Sequence, residues 1–243
     1  MTEREPMIEA LDLCKHYGSF AAIDHLSFTI RRGEVVAFLG PNGAGKSTTM
    51  KVLTGYLAPT SGTARLCGVD VVQDRVRAVE KLGYLPENGP LYPDMTPRQL
   101  LQFFAEARGM SAGQFAERLE FVTRECDLHE LLDKPIGTCS KGQKQRTGMA
   151  QALLHDPEVL IMDEPTTGLD PNQIRHVREL VKKLGQTRTI LLSTHLFQEV
   201  EAMAGRVLLV NEGKLVFDGT PAEFKARGQG QMDQAFHAIT GAR

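Results

Sequence analysis

The chain has 243 residues, with 28 Lys and Arg against 30 Asp and Glu, a formal net charge of −2. With 42% hydrophobic and 24% charged residues the composition is that of an ordinary globular chain, which excludes disorder, and the charge balance argues against a broad nucleic-acid surface. No apolar run is long enough to cross a bilayer, the acidic start MTEREPMIEALDL lacks a signal-peptide core, and the four cysteines (Cys14, Cys67, Cys126, Cys139) have neither close pairing nor metal-ligand spacing, so they read as reduced thiols of a cytosolic protein.

In chain order, Leu26, Phe28 and Ile30 share one face of a period-two run that ends at the turn Arg31-Arg32-Gly33, which predicts a strand. Val35 to Leu39 is an unbroken apolar run ending at Gly40, the pattern of a buried strand. Gly40-Pro41-Asn42-Gly43-Ala44-Gly45-Lys46-Ser47-Thr48 then fits G-x-x-x-x-G-K-[ST] without a gap and opens a helix near Lys46 to Thr54. The glycines let several N–H groups converge on one anion, and the helix N-terminus adds its partial positive charge. Lys46 can reach the outer phosphates of a nucleotide, and the Ser47 hydroxyl is a candidate magnesium ligand. A chance match runs at roughly one in a hundred for average residue usage, and the strand–loop–helix context lowers it. The motif alone does not separate kinases, GTPases and ATPases.

Ala58 to Gly62 is a turn cluster, followed by a short strand around Ala64 to Cys67. The loop from Glu87 to Thr96 groups Leu91, Tyr92, Pro93 and Met95, which read equally well as a docking surface or as side chains packed under the helices that follow. Thr96-Pro97 predicts a capped helix start, with Leu100, Leu101, Phe103 and Phe104 as its apolar face and Gly109 closing it. A second helix is expected from about Gln114 to Cys126. Residues from about 90 to 138 thus read as a helical insertion in an α/β chain. Thr138-Cys139-Ser140-Lys141-Gly142-Gln143 precedes a helix reaching about Leu154. The Ser140 hydroxyl, the Gly142 backbone and the helix end could form a second anion corner, although a routine capped helix explains the same residues more simply.

Val159 to Met162 is a second buried strand and runs into Asp163-Glu164. Alone, that pair reads as an acidic strand end capping a turn. Beside a phosphate cradle, Asp163 is the magnesium residue and Glu164 the general base that accepts a proton from an attacking water, which points to hydrolysis. Thr189 to Thr194 is a further buried strand. RVLLV and KLVF flank the hairpin turn Asn211-Glu212-Gly213-Lys214, so part of the sheet is antiparallel. Helices are expected between the strands ending at Met162 and Thr194, and after the latter.

Gly40–Thr48, Ser140–Arg146, Asp163-Glu164, Gly168-Leu169-Asp170 and Ser193-Thr194-His195, in this order, resemble the ATP-binding subunit of an ABC transporter over nearly the whole chain. Ser140-Lys141-Gly142-Gln143-Lys144-Gln145-Arg146 resembles the family's signature motif and is the most specific element. The resemblance implies an α/β P-loop NTPase of the ABC ATPase type. Its core is a mixed sheet with an antiparallel β portion, and a helical subdomain lies between cradle and signature. Residues 1–243 form a single domain, with a C-terminal helical tail at about 220–243. It implies ATP and Mg²⁺ as ligands and a head-to-tail dimer with a second copy of the chain. Each ATP then lies between one cradle and the other copy's Ser140, Gly142 and Gln143, which explains two anion corners that need not meet in one chain.

Further roles follow from the same resemblance. Tyr17, just before Gly18, matches the aromatic residue that stacks on adenine, though a lone Tyr is otherwise a packing residue. Asp170 matches the loop that communicates across the dimer. His195 matches the histidine that contacts the γ-phosphate and orients the water and Glu164. Glu87, in Tyr84-Leu85-Pro86-Glu87, stands where the family usually has a Gln that touches the magnesium or the water, and is placed with the metal groups. Cys139 replaces the usual Leu, and Lys141 the first signature Gly. Together with LPENGPLYPDMT, GLDPNQI and the ending Met232-Asp233-Gln234-Ala235-Phe236…Thr240-Gly241, these departures resemble gliding-motility and drug-type bacterial exporter ATPases. That ending leads to the expectation of a complete chain without a regulatory domain. The resemblance thus implies an ATP-hydrolysing motor on the cytoplasmic face of the inner membrane, driving an integral membrane permease subunit, with no nucleic-acid partner. The alternative is a soluble ABC ATPase acting on a non-membrane partner. A single cradle, a short interval from cradle to signature and the net charge disfavour it.

Overall fold

A computed structural model describes residues 4–87, 89 and 91–241. Asn88 and Pro90 of the Glu87–Thr96 loop, and the chain ends at 1–3 and 242–243, lie outside the described residues. The chain opens with two long antiparallel strands, β1 (Pro6–Tyr17) and β2 (Phe20–Arg31), joined at Gly18-Ser19. After β3 (Val35–Leu39) and α1 (Lys46–Leu53), β4 (Ser61–Leu66) and β5 (Val69–Asp70) complete a four-stranded antiparallel sheet of order β2-β1-β4-β5. The antiparallel portion is therefore a second sheet, and the sequence reading had assigned only part of it.

The short helix α2 (Arg75–Val79) leads to β6 (Leu82–Leu85). Neither was expected from sequence. β6 is the far edge of a six-stranded sheet of order β10-β9-β3-β8-β7-β6, completed by β7 (Val159–Asp163), β8 (Thr189–Thr194), β9 (Arg206–Asn211) and β10 (Lys214–Gly219). β6, β7, β8, β3 and β9 are parallel, and only the β9–β10 hairpin is antiparallel. Its turn has Glu212 and Gly213 at φ 49° and 77°, the paired left-handed residues that match the twist of a two-residue hairpin.

The unbroken apolar runs have a direct cause. Alternate residues of the same strands enter two different cores. Ala37, Leu39, Leu160, Met162, Ile190 and Leu192 pack on one face, with the helices of the last two thirds. Val36, Phe38, Val159, Ile161 and Leu191 pack on the other, with α1 and the antiparallel sheet. The central strands β3, β7 and β8 thus have no solvent face.

Between β6 and β7 lie α3 (Pro97–Ala107), α4 (Ala112–Glu125), a 3₁₀ turn (Ile136–Thr138) and α5 (Lys141–Leu153). Thr96, Ser111 and Ser140 each cap a helix, and each donates its own backbone N–H to the side-chain oxygen of the Gln at the third helical position. Leu100 and Leu101 of α3 are buried as expected, but Phe103 is 44% exposed. Its ring lies edge-on to Phe104 at 5.5 Å and to the exposed Tyr92 at 6.1 Å. Phe103 thus belongs to a surface aromatic cluster, which corrects its assignment to the apolar face. The chain continues through α6 (Pro171–Leu184), α7 (Phe197–Met203), α8 (Pro221–Ala226) and α9 (Met232–Thr240). The four cysteines are free, and Cys14, Cys126 and Cys139 are buried.

Candidate active site

The register of the parallel strands brings the motifs together. Leu39 pairs with Thr194, Asp163 with Ser193, and Leu85 with Met162. The carboxyl ends of β3, β8, β7 and β6 therefore deliver Gly40, His195, Glu164 and Glu87 to one edge of the sheet, where open α/β folds bind ligands.

The cradle leaves β3 and enters α1 through Gly45, which caps the helix at φ 99°. A Cβ at Gly45 would stand 2.2 Å from the Ala22 carbonyl oxygen, and one at Gly40 would stand 2.4 Å from that of Val210. The loop is therefore seated against β2 and β9 by contacts only glycine permits. The β9–β10 turn supports it, with Gly213 N donating to Ala44 O at 3.1 Å. Lys46 is buried, and its ammonium donates to the carbonyls of Gly40 at 2.7 Å and Pro41 at 3.1 Å. Burial pulls its pKa below the usual lysine range, while Glu164, Asp163 and Glu87 pull it back up. A desolvated cation in a glycine-rich loop at the start of a helix suits the terminal phosphates of a nucleotide.

At the end of β7, Ser193 of β8 holds the Asp163 carboxylate and the backbone of Glu164. Its hydroxyl donates to Asp163 Oδ1 and accepts from Glu164 N at 3.0 Å. Glu164 takes a left-handed backbone, φ 50°, costly for a non-glycine residue and typical of functional turns. Its Oε2 lies 2.9 Å from His195 Nδ1 and accepts from Thr167 Oγ1 at 3.3 Å, while its Oε1 is 3.9 Å from Lys46 Nζ.

Most predicted residues face one cavity of about 460 Å³. Tyr17, Asn42, Gly43, Gly45, Lys46, Ser47, Thr48, Glu87, Glu164 and His195 line it, with Phe20, Ala22 and Thr167. Gly40, Pro41 and Ala44 shape it through their backbone, and Asp163 is 3% exposed between β7 and β8. Ser140, Gly142, Gln143 and Asp170 are not among its lining residues. Ser140 and Gln143 bond each other across the first turn of α5, and the Asp170 carboxylate caps α6 by accepting from Asn172 N and Gln173 N. Sequence reasoning missed Phe20 and Thr167 and quoted Ser193 in a motif without giving it a role. The signal for Phe20 was available, since it sits directly across a two-residue turn from Tyr17 and both rings are exposed, at 60% and 52%.

With this geometry in hand, the likeness to known proteins is specific. The ABC transporter family profile matches residues 23–167, more than half of the chain. The chain belongs to the ABC transporter family. It is an ATP-binding, ATPase-type cassette of that family. A probable multidrug ABC transporter ATP-binding protein of Escherichia coli, YbhF, is 38% identical over 97% of this chain, which spans only 42% of that relative's length. A Nod factor export ATP-binding protein of Ralstonia nicotianae is 38% identical over 90% of this chain and 68% of its own length. A solved ATP-binding subunit of an ABC transporter superposes with a TM-score of 0.87 at 30% identity, covering 96% of this chain and 99% of its own.

Proposed function

We propose that this cassette hydrolyses ATP between two copies of itself and drives a membrane permease subunit that exports its cargo. The observation that carries the catalytic part is the placement of Glu164 in the cavity, bonded to His195 and Thr167 and facing Lys46. Glu164 is the general base that takes a proton from the attacking water. His195 orients that water and contacts the γ-phosphate, and Lys46 with the Gly40–Thr48 amides holds the β- and γ-phosphates. Tyr17 stacks on adenine, a contact worth about 1–3 kcal/mol by analogy with base stacking, and Phe20 widens that platform.

Ser47, Asp163 and Glu87 offer a hydroxyl and two carboxylates, a hard oxygen set that fits Mg²⁺. The ion, when bound, neutralises charge on the outer phosphate oxygens. The signature residues Ser140, Gly142 and Gln143 lie outside the cavity of their own chain, which supports their serving the ATP of a second copy, with Asp170 at the junction.

The permease reading rests on a cleft of about 790 Å³ between the β6 edge and the helical insertion, lined by Leu91, Pro93, Phe104, Arg108, Lys144 and His155 among others. Exposed Tyr92 and Phe103 stand beside it. Among the described residues no helix is long and apolar enough to cross a membrane, so on this reading the cassette works at the cytoplasmic face. Export follows the naming of the relatives. The Glu164→Gln variant tests the assignment. It is expected to bind ATP, to hydrolyse it at least 100-fold more slowly and to accumulate as a dimer in ATP. Hydrolysis at the normal rate would remove Glu164 from the base role.

A further inference from the structure

One buried carboxylate has no part in the chemistry above. Glu199, in the first turn of α7, is 0% exposed. Among the described residues no cation forms an ion pair with it. Its two oxygens are instead met by two hydroxyls. Thr166 Oγ1 donates to Oε1, and Thr194 Oγ1 donates to Oε2 at 2.6 Å. Both threonines are buried, at 2% and 0% exposure. Thr166 lies two residues after Glu164, in the turn where Thr167 N donates to Glu164 O. Thr194 immediately precedes His195, and its hydroxyl also accepts from Leu196 N at 3.0 Å.

A fully buried carboxylate satisfied only by neutral hydroxyls is an expensive choice for stability alone, because desolvation of the charge is not offset by a counter-charge at contact distance. Burial accordingly raises the Glu199 pKa; the Thr194 hydrogen bond opposes the rise, Glu164 adds to it, and Arg178 and His195 oppose it further. What a carboxylate supplies that a smaller or apolar side chain cannot is two acceptors at a fixed spacing. Here they bind the two loops whose tips meet in the cavity. The contact of His195 Nδ1 with Glu164 Oε2 joins those loops at the substrate side, and the Thr166–Glu199–Thr194 bridge joins them from beneath.

We propose that Glu199 is a positioning residue for ATP hydrolysis, clamping the loop that carries Glu164 to the loop that carries His195. This rests on the catalytic reading of those two residues. Glu199→Gln keeps the shape and one acceptor but presents an N–H to the other hydroxyl, which must then reverse its bond and accept; the clamp loses its charge-assisted acceptors and one strut is weakened. Because the hydrogen bonds of its carboxylate go to Thr166 and Thr194, neither of which lines the cavity, its loss acts on the rate of the chemical step and leaves nucleotide binding intact.

The test compares steady-state hydrolysis by the full chain carrying Glu199→Gln, Thr194→Val, Thr194→Ser, His195→Ala, and Glu199→Gln with His195→Ala. Glu199→Gln is expected to lower kcat at least tenfold with KM for ATP within twofold. In the double variant it is expected to add less than twofold to the loss from His195→Ala alone, since a clamp acting through His195 has nothing left to position. Thr194→Val lowers kcat in the same way, and Thr194→Ser, which keeps the hydroxyl, recovers it. That pair decides the matter should Glu199→Gln fail to fold. A kcat for Glu199→Gln or Thr194→Val within twofold of the parent overturns the proposal. So do losses that multiply in the double variant, or a KM that rises in step with the fall in kcat. A normal rate in His195→Ala would overturn the catalytic reading beneath it and this proposal together, whereas a slow His195→Ala with a normal Glu199→Gln overturns the clamp alone.

Discussion

The seating of the phosphate cradle gives a prediction whose size follows from the structure. Gly45 and Gly33 both have left-handed backbones, at φ 99° and 78°. A methyl at Gly33, in the turn before β3 and so at the opposite end of that strand from the cradle, meets nothing within 4 Å. A methyl at Gly45 meets the Ala22 carbonyl oxygen at 2.2 Å. Gly33→Ala therefore pays only for the torsion, about 1–2 kcal/mol. Gly45→Ala adds overpacking of about 1–3 kcal/mol, for a loss of roughly 2–5 kcal/mol. Relief of the clash needs roughly 1 Å of separation between loop and strand, a displacement on the scale that costs about 100-fold in rate at a preorganised site and that also moves the amides that bind the phosphates. Urea unfolding and titration with a slowly hydrolysed ATP analogue read the two effects separately. Gly33→Ala should lose stability and keep its affinity, while Gly45→Ala should lose both. Equal analogue affinity in the two variants would refute the argument that the cradle is held against β2 by close backbone contact.

Two other predictions concern the cleft. Leu91→Asp with Tyr92→Asp should abolish co-purification with a membrane partner from detergent extracts and spare ATP binding; unchanged co-purification would rule out docking through that loop. His155 is the second. Burial, helped by Arg108, pushes its pKa down to about 4, and its Nε2 lies 2.9 Å from Leu82 O. The ring is neutral in the folded chain and is protonated more readily when unfolded. Its contribution is therefore full above pH about 6.5 and is lost as pH falls toward 4, by up to about 1.4 kcal/mol per unit and about 3 kcal/mol in all. Unfolding curves of the parent and of His155→Gln should converge as the pH is lowered through that window; parallel pH dependence would refute the assignment.

How much of this was legible from sequence depended on how local the cause was. The cradle was readable because its glycines, lysine and hydroxyl act within nine residues. β3, β7 and β8 were readable because burial on both faces leaves an unbroken apolar run, and the β9–β10 hairpin because Glu212-Gly213 can take the required left-handed pair. β6 was not, since four residues including Gly83 carry no usable period. Gly83 is there because a Cβ would stand 2.2 Å from Ala152 O, a contact set by α5 nearly seventy residues away. Phe103 misled for a related reason. Its spacing fits an apolar helix face, yet α3 buries Leu100 and Leu101 and leaves Phe103 to pair with Tyr92 on the surface. Glu199 gave no signal, because a glutamate in a short helix next to exposed Gln198 reads as solvated until the fold covers it.

The starts of α5 and α6 interlock within one chain, and this bears on how a second copy could influence hydrolysis. A Cβ at Gly142 would stand 2.4 Å from the Gln173 amide, and one at Gly168 would stand 2.3 Å from Lys141 Nζ. Lys141, the departure from the family signature, thus lays its side chain across the loop that ends in Asp170. Gln145 Nε2 donates to Pro165 O at 2.9 Å, one residue beyond Glu164. The signature turn, the Asp170 loop and the backbone next to Glu164 are therefore packed as one body. If a partner's nucleotide pulls on the start of α5, as the dimer proposed above requires, that pull reaches the Glu164 turn through contacts already made, and no separate relay is needed. The hydrogen bonds of Thr166 and Thr194 to Glu199 continue from that body to the loop of His195. The clamp would then let the base and the histidine respond to dimer closure together.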